Sequence, residues 1–272
     1  MTQFMASRTQ GDICLFGAPF DSTTSFRPGA RFGPAAIREA SYGLETFSPI
    51  QNADLEDCSF MDKGDLELPF GDPRPALTAI EEYTAGIIAQ DKIPLMLGGE
   101  HLISLSSLRA ASHVYKDIKL IHLDAHADLR DSYLGQKLSH ATVMKRISEV
   151  IGLDAVRQIG IRSCTREEYP NVKRLRSDTK AIIGWASGSP CYITCDLDIL
   201  DPSVLPGTGT PEPGGLSFSE LIDILVPLIS KLNVVCMDIV ELSPRLDPSD
   251  VSSVVAAKIL RECIIALNNN TD

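Results

Sequence analysis

The sequence has little positive charge, and this shortage argues against one class of partner. Its 272 residues include 25 Lys and Arg against 36 Asp and Glu, which gives a formal net charge of -11. Proteins bind nucleic acid through clustered Lys and Arg side chains, so we expect no nucleic-acid partner. The same excess of carboxylates attracts small cations.

Long apolar runs and paired cysteine motifs are missing as well. No stretch approaches the roughly 18 uninterrupted apolar residues of a membrane helix, and residues 1–11 contain no apolar core of an export signal. The seven cysteines show none of the CxxC spacing of zinc or redox sites. We therefore expect a soluble, cytoplasmic protein with reduced thiols and no membrane partner.

Short apolar runs alternate with longer helical patterns along the whole chain, without a repeat or a linker. This alternation is typical of a parallel sheet that is covered by helices. It predicts a single domain over residues 1–272, of class α/β, with three α/β/α layers and a mostly parallel, eight-stranded sheet. Six strands are predicted at residues 13–16, 94–97, 119–123, 156–161, 192–197 and 234–240, and two weaker ones lie near Ser59 and Ile182.

The most informative motif is Asp124-Ala125-His126-Ala127-Asp128, which directly follows the apolar run 118–123. Side chains two residues apart point to the same side of an extended chain, whereas on a helix they diverge by about 200°. Asp124, His126 and Asp128 can therefore converge at a strand end. Ligands of parallel α/β sheets bind at the carboxyl ends of strands, and this strand and a later one are followed by long loops, 128–139 and 198–216.

Two further strand ends carry the same types of side chain. Asp196 and Asp198 follow the apolar run 191–195, and His101 follows a strand and a glycine turn. The six side chains exceed what one small ion takes from a protein while it keeps a position open for reaction. Two ions bridged by shared aspartates fit better. Ligation by four carboxylates and two imidazoles, without thiolates, favours a hard divalent ion such as Mn²⁺.

Six separated motifs make the chain similar to the ureohydrolase family, the arginases and agmatinases, over nearly its whole length. They are Gly98-Gly99-Glu100-His101, the 124–128 motif, Ser139-His140, and residues 196–202, 207–216 and 238–244. The resemblance implies an arginase-like fold, homotrimers or homohexamers, and two Mn²⁺ per chain. It further implies that His101 and Asp128 bind one ion, that His126 and Asp198 bind the other, and that Asp124 and Asp196 bridge them.

The family reaction is hydrolysis of a guanidinium group to urea and an amine by a hydroxide that bridges the two ions. The resemblance implies that His140 transfers a proton to the leaving amine, and an ordinary histidine pKa near ~6.5 suits that task. It also implies that Glu241, at the end of strand 234–240, pairs with the substrate guanidinium. Planar, bidentate recognition gives a physical reason for a carboxylate there.

Residues 17–34 resemble the agmatinase branch, which predicts agmatine, a small cationic guanidino compound, as substrate and putrescine as product. Arginases typically have an Asn two positions after the DAHxD motif, where this chain has Arg130. Arg130 is therefore a candidate substrate-binding residue that argues against arginine. Near the substrate tail it would favour a carboxylate, as in 4-guanidinobutyrate or 3-guanidinopropionate, unless it pairs with Asp131 or another acid and faces away from the substrate.

Two further hypotheses give the chain a function other than guanidinium hydrolysis. The deacetylase branch that shares this overall fold uses one zinc ion, and such a site would not need His101 and Asp128. A catalytically silent regulatory paralogue would keep the fold, but such proteins usually lose ligands, and this chain has lost none. Of the remaining histidines, His113 lies at a predicted helix end, and His122 is a strand residue or an outer partner of a ligand.

Overall fold

The computed structural model describes residues 2–270, and within them the central sheet has seven parallel strands. The strands of the chain are β1 (Ile13–Ala18), β2 (Phe47–Ser48), β3 (Ala53–Asp54), β4 (Phe60–Asp65), β5 (Ile93–Gly98), β6 (Lys119–Leu123), β7 (Val156–Ile159), β8 (Pro190–Asp196) and β9 (Asn233–Val240). The short strands β2 and β3 pair with each other. The other seven lie in the order β4-β1-β5-β9-β8-β6-β7.

Helices cover both faces of this sheet. They are α1 (Gly33–Ser41), α2 (Pro73–Ile88), α3 (Ser104–Val114), α4 (Val143–Ile151), α5 (Tyr169–Leu175), α6 (Thr179–Ala186), α7 (Phe218–Lys231) and α8 (Val251–Asn270). Helices α1, α6, α7 and α8 pack on one face, and α2, α3, α4 and α5 on the other. The predicted three-layer α/β/α architecture is confirmed.

Successive side chains of the strands enter opposite layers of the core. In β1, Ile13 and Leu15 pack in the layer that contains α8, whereas Cys14 and Phe16 pack in the layer that contains α2. Both faces of the sheet are thus apolar, which is why these strands appear in the sequence as continuous apolar runs. In residues 2–270 we find no helix that is both long and apolar enough to cross a bilayer.

The predicted sheet is one strand too large. The weak strand near Ser59 exists, because β4 begins at Phe60, but the one near Ile182 is wrong, since helix α6 covers that residue. The Asp178 carboxylate caps this helix by accepting the backbone N–H of Ala181 at 2.8 Å. Ile182 and Ala186, four residues apart, both enter the core. The apolar run therefore follows helical periodicity.

The sheet order brings four chain segments with polar side chains to one edge. Strands β5, β9, β8 and β6 are neighbours in that order, and all run in the same direction. Their carboxyl ends are followed by the segments that contain His101, Glu241, Asp198 and Asp124. The predicted convergence of strand ends is thus a consequence of the topology.

Candidate metal centre

The six predicted metal ligands lie together at this edge of the sheet. His101 begins the turn after β5, the 124–128 motif follows β6, Asp196 ends β8, and Asp198 comes two residues later. His126 is half-buried, and the other five are buried.

Asp124 lies between the two imidazoles. The Nδ1 atom of His101 is 3.0 Å from Asp124 Oδ2, and the Nδ1 atom of His126 is 3.5 Å from Asp124 Oδ1. His101 Nδ1 also lies 3.2 Å from Asp196 Oδ2 and 3.5 Å from Asp128 Oδ2, while His126 Nδ1 lies 2.9 Å from Asp198 Oδ2. Each oxygen of Asp124 thus faces a different histidine, as a bridging carboxylate requires.

The protonation and the contacts of His101 Nδ1 show whether these residues suit a metal ion. The Thr194 hydroxyl donates its single proton to Asp238 Oδ1 at 2.6 Å, so it accepts a hydrogen bond from Nε2–H of His101, at 2.9 Å. In the neutral ring, which is the form that binds a metal ion, Nδ1 therefore carries the lone pair, and it has no hydrogen-bond partner among the described residues. A buried lone pair that faces carboxylates is unfavourable without a cation between them. The arrangement fits a metal ion.

Backbone N–H groups orient the carboxylates. Asp124 Oδ1 accepts the N–H of His126 at 2.5 Å, Asp196 Oδ1 accepts that of Asp198 at 2.8 Å, and Asp198 Oδ1 accepts that of Ala125 at 3.0 Å. Each bond occupies one lone pair of one oxygen and leaves the others available. The local chain thus fixes the ligands before any ion binds.

The electrostatics of the cluster also favour cations. Burial is the largest cause that raises the pKa values of Asp128, Asp196 and Asp198, and the charges of neighbouring aspartates raise them further. Within residues 2–270, no Lys or Arg forms an ion pair with any of the four ligand aspartates. Divalent ions would compensate these buried charges.

Two of the predicted site residues adopt left-handed backbone conformations. Asp128 has φ of 53° and Glu241 has φ of 69°. This region costs a non-glycine residue of order 1 kcal/mol or more, and such strain is concentrated at functional sites. The fold therefore holds the two side chains in positions that a relaxed backbone would not give them.

A cavity of about 400 Å³ opens above the cluster. It is lined by both of the long loops that the sequence singles out, and its lining includes Ser25, Phe26, Asp128, Arg130, Tyr133, His140, Cys164, Glu168, Asp196, Thr210, Glu212 and Glu241. Glu241 is 4% exposed, and its Oε1 accepts the backbone N–H of His101 at 2.7 Å. Its position beside the ligands agrees with the predicted role at the guanidinium, which stays a prediction.

His140 differs from the sequence-based expectation in its protonation. It lines the cavity, its Nε2 lies 2.9 Å from Ser25 Oγ, and its backbone N–H donates to Thr23 Oγ1 at 3.1 Å. Burial, followed by the charges of His126 and His101, lowers the pKa of His140 to about 4. The expected pKa near ~6.5 is wrong for this environment, and His140 is neutral near pH 7.

Arg130 lines the cavity and does not pair with Asp131. Its guanidinium stacks on the ring of Tyr133, 4.6 Å from the centroid. Asp131 instead accepts a hydrogen bond from Nη2 of Arg146 at 3.1 Å. The hypothesis that an Arg130–Asp131 pair turns this arginine away from the substrate is therefore wrong.

Several cavity residues were missed by the sequence analysis. Ser25, Glu168 and Glu212 line the cavity. Ser25 lies in the 17–34 segment and Glu212 in the 207–216 motif, so these segments were usable signals, whereas the residues around Glu168 show no such signal. Tyr133 lies in the loop that the sequence marks as functional, so the loop was a usable signal although the residue was not. Cys195, by contrast, is fully buried in the apolar core, as expected.

Comparisons with known proteins agree over almost the whole chain. A family model described as the arginase family matches residues 11–266. An agmatinase of Bacillus cereus is 42% identical over 266 residues, 94% of this chain and 92% of that protein. The structure of an agmatine ureohydrolase of Thermoplasma volcanium matches with a TM-score of 0.89 and 33% identity, covering 99% of this chain and 95% of that one. A proclavaminate amidino hydrolase of Streptomyces clavuligerus matches with a TM-score of 0.89 and 29% identity, covering 99% and 98%.

Proposed function

This chain belongs to the arginase family, and on that premise we propose that it is an agmatinase. An agmatinase hydrolyses agmatine to putrescine and urea. The observation that carries the proposal is the cluster of two imidazoles and four aspartates at the ends of β5, β6 and β8, which opens into a cavity beside Glu241 at the end of β9. The 42% identity to an agmatinase over 94% of the chain supports this substrate.

We propose two Mn²⁺ ions as the cofactors, held by His101, His126 and the four aspartates. The support is the donor set, because carboxylate oxygens with imidazoles and no thiolate suit a hard divalent ion. Such ions supply the nucleophile, since they lower the pKa of water towards ~7. Loading metal-free protein with Mn²⁺, Mg²⁺, Ni²⁺ or Zn²⁺ tests this, and we expect about two Mn²⁺ per chain and the highest activity with Mn²⁺.

Glu241 and His140 have complementary tasks in this reaction. The buried carboxylate of Glu241, fixed by the N–H of His101, accepts guanidinium N–H groups and places the guanidinium carbon at the cluster. When water adds to that carbon and the bond to the alkyl nitrogen breaks, the departing nitrogen needs a proton. Neutral His140 can take up the proton that the water releases and return it to this nitrogen. Ser25 holds the imidazole at Nε2.

The lining of the cavity is compatible with a substrate that is cationic at both ends. Apart from the ligands, Glu168, Glu212 and Glu241 contribute carboxylates, and Arg130 contributes one positive charge. The excess of negative charge favours a dication such as agmatine.

A guanidino acid is the second candidate, and the position of Arg130 favours it. The guanidinium of Arg130 lines the cavity and has no ion-pair partner among the described residues. It could pair with the carboxylate of 4-guanidinobutyrate or 3-guanidinopropionate.

A substrate panel separates the two candidates. Urea release from agmatine, the two guanidino acids and arginine is measured with Mn²⁺-loaded protein, and as an agmatinase it should have the highest kcat/KM for agmatine. In the Arg130→Gln variant, kcat/KM for the acids should fall if Arg130 binds their carboxylate. Arg166→Gln, which changes the same charge at an exposed position outside the cavity lining, is the matched control. No urea from any of these compounds would contradict the enzyme proposal.

We further propose a homotrimer or homohexamer in the cytoplasm. The exposed apolar side chains of Phe26, Phe70 and Leu134, which are 70%, 81% and 77% exposed, support association of chains. All seven cysteines are free thiols, which supports a reducing compartment. Light scattering of the purified protein gives the oligomeric state, and fractionation of the source cells gives the location.

A further inference from the structure

Four buried polar side chains form a row across the sheet, next to the predicted ligands. Gln158 on β7 is paired in register with His122 on β6, His122 with Thr194 on β8, and Thr194 with Asp238 on β9. None of the four has any solvent exposure. Buried polar groups are costly unless they are hydrogen-bonded, so their contacts with one another and with the ligand segments require an explanation. We call these four residues the polar row.

The backbone of the ligand segment fixes the orientation of Gln158. Its Nε2 donates to the carbonyl oxygen of Ala127 at 3.0 Å and lies 2.9 Å from Nδ1 of His122. A flipped amide would place Oε1 against the Ala127 carbonyl oxygen, and two acceptors repel each other. The Oε1 atom has no hydrogen-bond partner among the described residues in the observed orientation, so the Ala127 contact, and not Oε1, determines the orientation.

The orientation of Gln158 fixes the tautomer of His122. Because the amide N–H₂ donates to Nδ1, this nitrogen is an acceptor, and the ring proton of neutral His122 lies on Nε2. Nε2 is 2.8 Å from Asp124 Oδ2 and therefore donates to it. Both nitrogens of His122 are thus occupied, in contrast to Nδ1 of His101. His122 is for this reason an outer partner, although its ring lies close enough to the cluster to be considered as a ligand.

We propose that Gln158 and His122 are positioning residues for Asp124. His122 holds Oδ2 of this carboxylate and the N–H of His126 holds Oδ1, at 2.5 Å. One lone pair of each oxygen is thereby occupied, and the remaining lone pairs are directed at two separate points. The proposal rests on the two-metal centre of the proposed function. Gln158 thereby affects metal binding through two successive hydrogen bonds, one to His122 and one from His122 to Asp124.

The first test determines the tautomer directly. Nitrogen-15 NMR of histidine-labelled, metal-free protein distinguishes a protonated Nε2 from a protonated Nδ1, and His122→Phe identifies the His122 signals by their loss. We expect Nε2–H in the wild type and a mixture of tautomers in Gln158→Met. A wild-type ring protonated at Nδ1 would overturn the proposal.

The second test measures Mn²⁺ affinity by competition with a fluorescent chelator. Outer partners of metal ligands typically contribute 10–100-fold in affinity, so we expect losses of about that size in His122→Phe and Gln158→Met. Arg157→Gln is the control, because its side chain packs on Trp185, with the guanidinium carbon 4.3 Å from the ring centroid, and not on His122. Wild-type affinity in both test variants would refute the proposal.

Both measurements still test the roles of Gln158 and His122 if the proposed agmatinase activity is absent. Both are made without substrate, so a protein that does not hydrolyse agmatine still gives the tautomer and the affinity. Thermal unfolding of the metal-free variants shows whether they are folded. If Gln158→Met does not fold, His122→Phe and the wild-type tautomer decide the question.

Discussion

Two buried clusters of aspartates in this chain obtain their positive charge in different ways. In one, Arg38 of α1 is 2% exposed and pairs with Asp62 of β4, with Nε at 2.7 Å from Oδ2 and Nη2 at 3.0 Å from Oδ1. Arg38 also pairs with Asp65, and Asp62 accepts the N–H groups of Phe4 and Gly64. In the metal centre, no Lys or Arg plays this part among the described residues.

The difference shows which acidic cluster belongs to the scaffold and which to the function. The buried Asp62 carboxylate is paired with a cation of the chain itself, so it needs no ion from solution. In the metal centre, burial and then the charges of neighbouring aspartates raise the pKa values of three of the four aspartates, and bound ions would compensate these charges. In this chain, a cluster of several buried aspartates without a Lys or Arg partner therefore marks the candidate binding site.

The largest expected effect is that of metal removal, which should affect only one of the two clusters. Protein stripped with a chelator should lose at least ~10³-fold in urea release, because the nucleophile depends on bound ions. It should also unfold at a lower temperature, since ions bound only to the native state stabilise it. Metal analysis, activity and calorimetry check this, with Mn²⁺ restored as the control. Full activity in verified metal-free protein would contradict the two-metal site.

Removal of the internal cation should break the other cluster. Arg38→Met leaves Asp62 buried without its partner, and we expect the free energy of unfolding to fall by about 3–5 kcal/mol. Urea denaturation of metal-free protein measures this. Arg74→Met, at the exposed Arg74–Asp72 pair, is the control and should change stability little. Equal losses in the two variants would mean that the burial of Arg38 has no special importance.

The same chemical change should have opposite signs in the two clusters. Asp62→Asn removes the negative partner of Arg38 and should destabilise the protein by about 1–3 kcal/mol. Asp128→Asn removes a charge that burial and Asp124 disfavour, so it should stabilise metal-free protein by about 1 kcal/mol while it weakens Mn²⁺ binding. Denaturation and metal titration of both variants check this. A loss of metal-free stability in Asp128→Asn would show that the cluster is not strained by its charges.

The smallest expected effect is a pH dependence that metal reverses. The pKa values of Asp128, Asp196 and Asp198 are raised in the folded state above the ordinary value of 3.8. At these three groups the folded form then binds more protons than the unfolded form above about pH 4, so their contribution to the stability of metal-free protein should fall as pH rises. His140, with its pKa lowered to about 4, acts in the opposite direction below the ordinary histidine value of 6.5, so the fall should be seen above that pH. Mn²⁺ binds the deprotonated carboxylates, so its stabilisation should grow with pH. Thermal unfolding from about pH 5 to 8 tests this, and identical slopes with and without Mn²⁺ would exclude it.

Sequence alone predicted the parts of the site that depend on local geometry. The alternation in the 124–128 motif and the apolar runs before Asp124 and Asp196 were enough to predict that ligands meet at strand ends. The layer architecture followed from the alternation of strands and helices. The error at Ile182 arose because a short apolar run has no clear period, and only the cap at Asp178 distinguishes a helix there.

Features that depend on distant contacts could not be predicted in this way. The Gln158–His122 pair joins residues 36 positions apart, and the Arg38–Asp62 pair joins residues 24 positions apart. The protonation of His140 depends on its burial against the 23–25 segment and on the charges at His126 and His101. Nothing in the residues adjacent to these positions in the chain reports such neighbours.

The left-handed backbone at Asp128 and Glu241 has a consequence for protein engineering. Glycine adopts this conformation freely, and asparagine tolerates it better than most residues do. A screen that selects only for heat resistance would therefore enrich glycine at both positions and asparagine at position 128. Each variant selected in this way would lack a carboxylate at the candidate metal centre. Libraries made to stabilise this protein should keep residues 128 and 241 unchanged.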